Sequence, residues 1–296
     1  MLGLKRGTVR LCPHEEEWER EAARTIHCLR EILGAVIVDI AHVGSTSIPM
    51  IMAKPIVDIA VAVRSFEEVS PFVESLRAAG YHLREDRISS QMLFAAGSYY
   101  EGTGEEQTHF VHVVLSGSTE WRNYINFRSY LIKHPEAARA YEALKCSLAA
   151  AAPVDAGREK YLAGKQDFIA FTLRKALVDS YLGRDVHIGI DRPVGYVHRK
   201  GEKVLVYPIN YGYIPGVLGG DGEELDVYLL GVEEPVEEYD ARVIAVVHRE
   251  DDVEDKLVAA PAGMRFSARE IADAIRFQEK YYRTRVECAD GEIAEV

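Results

Sequence analysis

The segment best suited to chemistry is YPINYGYIPGVLGGDGEELD, which spans residues 207–226. Three of its acidic residues, Asp221, Glu223 and Asp226, follow a glycine-rich stretch and lead into an apolar strand, so three carboxylates can gather around one point. Like charges this close stay ionised only when cations lie among them. Hard divalent cations take oxygen ligands, so we expect Mg²⁺ here, with Mn²⁺ as the alternative. An acidic surface turn is the competing interpretation. A calcium EF-hand is excluded, because Asp226 stands where that loop requires glycine.

A second acidic run, HREDDVEDKLVAAP, occupies residues 248–261. It places five carboxylates directly before Lys256, at the start of an apolar strand. Because both acidic runs lie in turns beside strands, we expect them to face each other across the mouth of a barrel. Side chains elsewhere add donors that suit phosphate: Tyr207, Tyr211, Tyr281, Tyr282 and Arg283.

The first of these segments resembles the signature of the family I soluble inorganic pyrophosphatases. In that family a Tyr-Pro-x-Asn-Tyr-Gly-Tyr strand precedes an Asp-x-Asp-x-x-Asp metal loop, and the resemblance covers residues 187–285. It implies Mg²⁺-dependent hydrolysis of pyrophosphate or a related phosphoanhydride. The implied metal ligands are Asp221, Glu223, Asp226, Asp252 and Asp255. The implied substrate contacts are Tyr207, Tyr211, Lys256, Tyr281 and Arg283, and the implied catalytic residues are Glu223, Asp226 and Lys256.

The segment also departs from the family pattern. Glu223 replaces the middle aspartate, and its side chain is one methylene longer. The stretch between Asp191 and Tyr207 is short, and its basic residues, which include Arg192, do not match those of the family cleanly. Two alternatives to a pyrophosphatase therefore stay open. One is a protein of the nucleotidyltransferase class, and the other is a non-catalytic metabolite-binding protein with degenerate sites.

The first half of the chain contains a weaker candidate motif, HVGSTSIPMIMAKPIVDIAVAV, at residues 42–63. Alternation along the second strand puts Val57, Ile59, Val61 and Val63 on one face and Asp58 on the other. A carboxylate in so apolar a strand needs a polar partner. We therefore expect a pocket lined by Gly44, Ser45, Lys54 and Asp58. His109 and His112, three residues apart, point to opposite faces, and each is interpreted as a core or edge residue.

This half is similar to the GrpB family, which has a nucleotidyltransferase-like fold. The similarity covers residues 7–178 and includes HVGSTSIP, KPIVDI, THFVHVV and WRNYINFRSYLIKHPEAARAYEALK. Active nucleotidyltransferases of this fold use a second carboxylate two residues after the first, and Ala60 stands at that position here. The resemblance therefore favours a nucleotide- or metabolite-binding domain over a transferase.

The elements that must position these residues follow two patterns. Up to residue 182, helical periodicity alternates with short β-branched runs, which predicts an α/β domain. The GrpB resemblance implies that this domain is of nucleotidyltransferase type. Its predicted helices include one that ends at Gly34, one from Ser65 to Gly80, and one over 158–182. After residue 185 short apolar runs alternate with turns, which predicts a sandwich or small barrel, followed by a helix capped at Ser267. The pyrophosphatase resemblance implies a small β-barrel of the pyrophosphatase or OB type. We expect an α+β chain with domains at 1–182 and 183–296.

Composition limits the partners. The chain has 296 residues and a net charge of −12. Residues 1–178 hold 21 basic and 22 acidic side chains, and residues 179–296 hold 14 and 25. A domain with a net charge of −11 lacks the basic surface that nucleic-acid binding requires, so we do not expect the C-terminal domain to bind nucleic acid. The four cysteines show no CxxC spacing, and there is no signal peptide or membrane segment. We expect a cytoplasmic protein that acts on a small molecule, with a homo-oligomer compatible with the sequence.

Overall fold

The computed structural model describes residues 2–84, 90–152, 157–201, 203–219, 222–252 and 254–296. The chain divides into two compact units, Met1–Leu173 and Arg174–Val296. The sequence placed its domain boundary nine residues later, between 182 and 183. Both units combine helices with sheets, as predicted for an α+β chain. None of the described helices has the length and apolar character needed to cross a bilayer.

The first unit is built on a five-stranded sheet in the order β2-β3-β7-β5-β4. β3 and β7 run parallel, and the other neighbouring strands are antiparallel. β1 and β6 form a separate pair. The strands are β1 Leu4–Lys5, β2 Ile37–Val43, β3 Val57–Val63, β4 His82–Leu83, β5 Gln91–Ala96, β6 Glu106–Gln107 and β7 His109–Leu115.

The helices of this unit follow the predicted periodicity, with two interruptions. They are α1 Glu16–Leu33, α2 Phe66–Val69, α3 Val73–Ala78, α4 Ser98–Glu101, α5 Thr119–Lys133, α6 Pro135–Ala151, α7 Arg158–Ala163 and α8 Gln166–Asp179. The helix expected from Ser65 to Gly80 is broken by a 3-10 turn at Ser70–Phe72, where Pro71 has no N–H to donate. The helix expected over 158–182 is broken at Gly164, where an added Cβ would meet Leu148 at 2.5 Å.

The predicted alternation along β3 is confirmed by the core. Val57, Ile59, Val61 and Val63 are all buried in one hydrophobic cluster with α1, whose Trp18 is fully buried in the same cluster. The opposite face of β3 carries Asp58, which is only partly buried. The apolar face therefore stabilises the sheet, and the other face is available for a polar site.

The second unit contains the predicted small barrel. Its five strands close in the order β8-β11-β12-β14-β13, because β13 pairs with both β14 and β8. β15 and β16 extend the sheet beyond β13, and β9 and β10 form a hairpin. The elements are β8 Asp185–Arg192, β9 Val197–Lys200, β10 Lys203–Val206, β11 Asn210–Leu218, β12 Glu224–Leu229, β13 Glu238–Arg249, β14 Lys256–Ala260, α9 Ala268–Glu279, β15 Thr284–Cys288 and β16 Ile293–Glu295.

The two faces of the barrel wall have different roles. Leu225, Val227 and Leu229 of β12 belong to a cluster to which all five barrel strands contribute, so they face the interior. The alternate residue Tyr228 packs in a second cluster with α9 on the outer face. The predicted capping box at the start of α9, Ser267 with Glu270, is present. Helix α9 thus covers the outer face of the strands that carry the acidic loop.

Gly212 lies where β11 pairs closely with β8. A Cβ at this position would lie 1.9 Å from the carbonyl oxygen of Gly189, which is backbone and cannot rotate away. We expect Gly212→Ala to lower the free energy of unfolding by about 3 kcal/mol or more. Val204→Ala, on the exposed hairpin strand β10, should stay within about 0.5 kcal/mol. Thermal unfolding of both variants measures the difference, and equal midpoints would contradict the close approach of the two strands.

Candidate functional site

The centre of the site in the second unit is the ammonium group of Lys256, the first residue of β14. The residue is 2% exposed. Its Nζ donates to the hydroxyl of Tyr211 at 2.6 Å, to the carboxylate of Glu254 at 3.0 Å, and to the carboxylate of Asp226. The parallel pairing of Val227 with Leu257 sets Lys256 beside Asp226. Strand pairing therefore brings residues from both acidic runs to one cation.

This meeting point is on the outer face of the barrel wall. Asp226 alternates with Leu225 and Val227, which face the barrel interior. Tyr211 and Tyr228, which share the face of Asp226, pack in the cluster beneath α9. The expectation that the two acidic runs meet across the barrel mouth is therefore wrong, although the runs do meet.

Aromatic rings form one wall of the site. The ring of Tyr211 lies 5.5 Å from that of Tyr207 and 4.9 Å from that of Tyr228, centre to centre. The guanidinium of Arg192 stands 5.0 Å from the centre of the Tyr211 ring and donates to the Tyr207 hydroxyl at 2.9 Å. Burial first, and then the charge of Asp226, raises the pKa of Tyr211 well above its ordinary value. This hydroxyl therefore keeps its proton at neutral and alkaline pH.

A second carboxylate lies close to Asp226. Burial raises the pKa of Asp191, and the charge of Asp226 adds to this effect, while Arg192 opposes it. Crowded carboxylates are the donor chemistry that a hard divalent cation satisfies. The residues of this site therefore fit Mg²⁺, with Asp191, Asp226, Glu254 and the loop acids as its candidate ligands.

A buried ion pair supports the site from the side of α9. Arg249 donates to both carboxylate oxygens of Glu279, at 2.8 and 2.6 Å, and to Asp252 at 2.9 Å. The hydroxyl of Tyr228 donates to the same Glu279 at 2.5 Å. Bidentate pairs of this kind fix geometry as well as charge. Arg249 therefore joins Asp252, α9 and the tyrosine wall in one network.

Asp255, expected to be a metal ligand, is bound to other protein groups. Its carboxylate lies 2.6 Å from Lys175 Nζ and 3.0 Å from His248 Nδ1, and it accepts from the backbone N–H of Arg249 at 3.1 Å. Its side chain is 1% exposed. The neighbouring Glu254 instead contacts Lys256. The structure thus brings Glu254, and not Asp255, to the site.

The remaining expected residues have different surroundings. Asp221 lies outside the described residues. Glu223 is exposed in the turn before β12, and Tyr281 is 63% exposed after α9. The backbone N–H of Arg283 donates to Asp251 at 2.9 Å, and its side chain is exposed. In the part of the chain that the structure describes, the one group of three potential ligands within 4.8 Å is Cys288, Asp290 and Glu292.

Sequence reasoning assigned no role in this site to Asp191, Arg249 or Glu254, and it left Arg192 unmatched. Asp191 and Arg192 end β8, and Arg192 is in register with Tyr211. Arg249 ends β13, where it reads as an ordinary basic residue before an acidic run. These residues reach the site because their strands pair with strands that are distant in the sequence, and no local sequence pattern predicts that pairing. For Arg192, the available signal was its place among the unmatched basic residues after Asp191.

The first unit has its own cavity, with a volume of about 500 Å³. Gly44, Ser45, Lys54 and Asp58 all line it. Gly44 has φ +69°, and an added Cβ there would lie 2.5 Å from the carboxylate of Asp58. Glycine therefore lets the loop after β2 approach Asp58 closely.

His112 also lines this cavity, although the sequence suggested a core or edge residue. Its Nε2 lies 3.2 Å from Asp58 Oδ1, and its Nδ1 lies 2.9 Å from the Tyr124 hydroxyl. β3 and β7 run in parallel register with Ala60 opposite His112. An imidazole thus neighbours the small residue at the position of the second carboxylate in active transferases.

Comparison with known proteins matches both halves. The family model described as GrpB protein matches residues 8–175, and the chain belongs to this family. The model of inorganic pyrophosphatase matches residues 187–286. The chain therefore joins a GrpB domain to a C-terminal domain that resembles the inorganic pyrophosphatases.

The chain is also similar to individual proteins and solved structures. The chain is 38% identical over 171 residues to the glutamate-rich protein GrpB of Alkalihalophilus pseudofirmus, covering 57% of this chain and 96% of that protein. The crystal structure of GrpB from Enterococcus faecalis is 28% identical, with a TM-score of 0.53, and the match covers 58% of this chain and 99% of that one. An inorganic pyrophosphatase from Neisseria gonorrhoeae is 25% identical, with a TM-score of 0.27, over 35% of this chain and 75% of that one.

The Asp255 network predicts a dependence of stability on pH. Burial alone would lower the pKa of His248, but its bonds with Asp255 and Glu287 outweigh burial and hold the pKa above the ordinary 6.5. A group with a raised folded-state pKa contributes stability that is fully present below 6.5 and is lost as the pH rises through the folded value. We expect the melting temperature to fall as the pH rises from 6 toward 9.

Two variants test the origin of that fall. His248→Gln should abolish it, because the variant has no titrating imidazole at this position. His187→Gln, which removes an exposed imidazole on β8, should leave it unchanged. A fall that persists in His248→Gln would show that another group is responsible.

Proposed function

We propose that the second unit hydrolyses inorganic pyrophosphate, or a related phosphoanhydride, to phosphate in a Mg²⁺-dependent reaction. The observation that carries this proposal is the buried Lys256 ammonium, shared by Tyr211, Asp226 and Glu254. These residues belong to the two acidic runs and to the tyrosine strand, in a region that matches the pyrophosphatase family. A surface turn of solvated acids would not need a buried cation between them.

The division of charge supports this chemistry. Lys256 and Arg192 offer cationic donors for phosphate oxygens, and Tyr211 offers a hydroxyl that stays protonated. Asp191, Glu223, Asp226 and Glu254, with Asp221 outside the described residues, would hold the metal. Bound Mg²⁺ would neutralise substrate charge and lower the pKa of a bound water.

The protein's own residues would then orient the reactants. Asp226 or Glu223 would position the attacking water and accept its proton, and Lys256 would stabilise the departing phosphate. Phosphoryl transfer depends mainly on such positioning and on electrostatic stabilisation. The network of Arg249, Glu279 and Tyr228 keeps the wall of the site fixed for this purpose.

For the first unit we propose ligand binding rather than nucleotidyl transfer. Asp58 is the carboxylate of β3, it lies within hydrogen-bonding distance of His112, and Ala60 occupies the position of a second acid. Two-metal transfer requires carboxylates that clamp both ions. A cavity of about 500 Å³ with polar and aromatic walls suits a small molecule.

The hydrolase proposal is tested at Asp226. We expect Asp226→Asn to lower Mg²⁺-dependent phosphate release from pyrophosphate by about 100-fold or more, because an amide cannot accept a proton or neutralise the metal. Asp240→Asn, at an exposed acid on β13, should retain the rate of the unchanged protein. Full activity in Asp226→Asn would remove this residue from the site. Absence of phosphate release from the unchanged protein across pyrophosphate and other phosphoanhydrides would favour the non-catalytic alternative.

A second pair of variants separates neighbouring acids. Glu254→Gln should reduce phosphate release at least 10-fold while the fold is retained, since Glu254 contacts Lys256. Asp255→Asn should instead lower stability by about 3 kcal/mol, because it leaves buried cationic partners without their carboxylate. Phosphate release below the melting temperature and thermal unfolding are measured on both. The opposite pattern would restore Asp255 as the functional acid.

A further inference from the structure

The cavity of the first unit has a strongly cationic wall. The Nζ atoms of Lys54 and Lys165 lie 5.4 and 4.7 Å from the centre of the same Tyr161 ring, and Arg158 lines the cavity as well. Among the described residues, no carboxylate lies within 4.0 Å of the charged group of any of these three. All three cations therefore line the same cavity without an ion-pair partner among the described residues.

The charge balance of the lining is opposite in sign to that of the unit. Among the described residues, the lining contains four Lys and Arg side chains against Asp58 and Glu120, a formal charge of +2. Residues 1–173 as a whole hold 19 basic and 22 acidic side chains, a formal charge of −3. Positive charge is thus concentrated where solvent is restricted, and such concentration attracts and holds anions.

The protonation of these lysines agrees with an unfilled demand for negative charge. Burial lowers the pKa of Lys54 to about 8, and repulsion from Lys165 adds to the effect. Burial also lowers the pKa of Lys165. A bound anion would reverse both effects, because an opposite charge nearby favours the protonated amine.

The remaining wall suits a flat, uncharged group. Phe110, Phe127 and Tyr141 supply aromatic surface, and Gln91 and Asn123 supply amide groups. Amides both donate and accept hydrogen bonds, as the edge of a heterocycle requires. Aromatic side chains stack on planar rings whatever the identity of the ring. The volume of about 500 Å³ accommodates one such ring with a sugar and a phosphate.

We propose that this cavity binds a nucleoside monophosphate, with its phosphate held by Lys54, Lys165 and Arg158 and its base against the aromatic wall. The proposal rests on the binding role proposed above for the first unit, and it names the ligand class. It requires no metal, because protein cations supply the charge that balances the phosphate. Asp58, held by His112, contacts the sugar side of the ligand.

The test is calorimetric titration of the full chain with AMP, GMP, CMP and UMP, each beside its unphosphorylated nucleoside. EDTA is present so that metal-dependent binding in the second unit is suppressed. We expect at least one monophosphate to bind at least 10-fold more tightly than its nucleoside. Lys165→Gln and Lys54→Gln should each weaken that binding at least 10-fold. Lys160→Gln, an exposed lysine on α7 outside the lining, should bind like the unchanged protein.

Several results would overturn the proposal. Equal affinity for nucleoside and monophosphate would show that the phosphate does not contribute to binding, while leaving a binding role for the unit. Equal affinity for ribose 5-phosphate and the tightest-binding nucleotide would show that the base does not contribute to binding. Absence of binding by all four monophosphates up to millimolar concentration would reject the nucleotide class. Unaltered binding in both lysine variants, with unchanged melting temperatures, would place the ligand elsewhere.

Discussion

An ammonium group buried to 2% exposure must find acceptors, and Lys256 is the point on which the second unit's site depends. Removing a charge from water costs several kcal/mol unless it is paired and hydrogen-bonded. The acceptors are Tyr211 from β11, Asp226 from β12 and Glu254 from the turn before β14. Satisfying one cation therefore fixes the relative positions of three chain segments.

The same constraint acts a second time at Arg249. Its guanidinium is matched by both oxygens of Glu279, at the end of α9, and by Asp252. The pairing positions α9 over the outer face of the barrel, where Tyr211 and Tyr228 are buried. The site is rigid because its charges are neutralised by particular partners, and fewer partners would leave a buried charge at high cost.

The sequence predicted those features of the structure that depend on residues close together in the chain. The alternation of β3 follows from side-chain period, and the caps at Ser65 and Ser267 follow from residue type. The two families follow from contiguous motifs. The choice between Glu254 and Asp255 could not be made in this way. Both are acids in the same run, and their directions are decided by His248 and Lys175, which lie on other elements.

His112 illustrates the same limit in the first unit. Its place in the cavity depends on the parallel pairing of β3 with β7, which are separated by helices and three further strands. Nothing adjacent to His112 in sequence distinguishes it from His109, which lies 3.4 Å from Glu21 and not beside Asp58. Non-local pairing is what sequence periodicity describes least well, and functional side chains here depend on it.

The two proposed phosphate-binding sites differ in the sign of their charge: carboxylates predominate in the second unit and cationic side chains in the first. In the second unit, carboxylates lie close together and the charge of Asp226 helps to raise the pKa of Asp191, so under the proposal a phosphate would bind together with cations from solution. In the first unit, Lys54 and Lys165 repel each other beside one ring, so a phosphate brings the charge that is missing. Under the two proposals, the site of the second unit would need metal to bind its ligand, whereas the cavity of the first unit would need only the ligand. Metal dependence, more than affinity for phosphate itself, is the property that should separate the two halves of the chain.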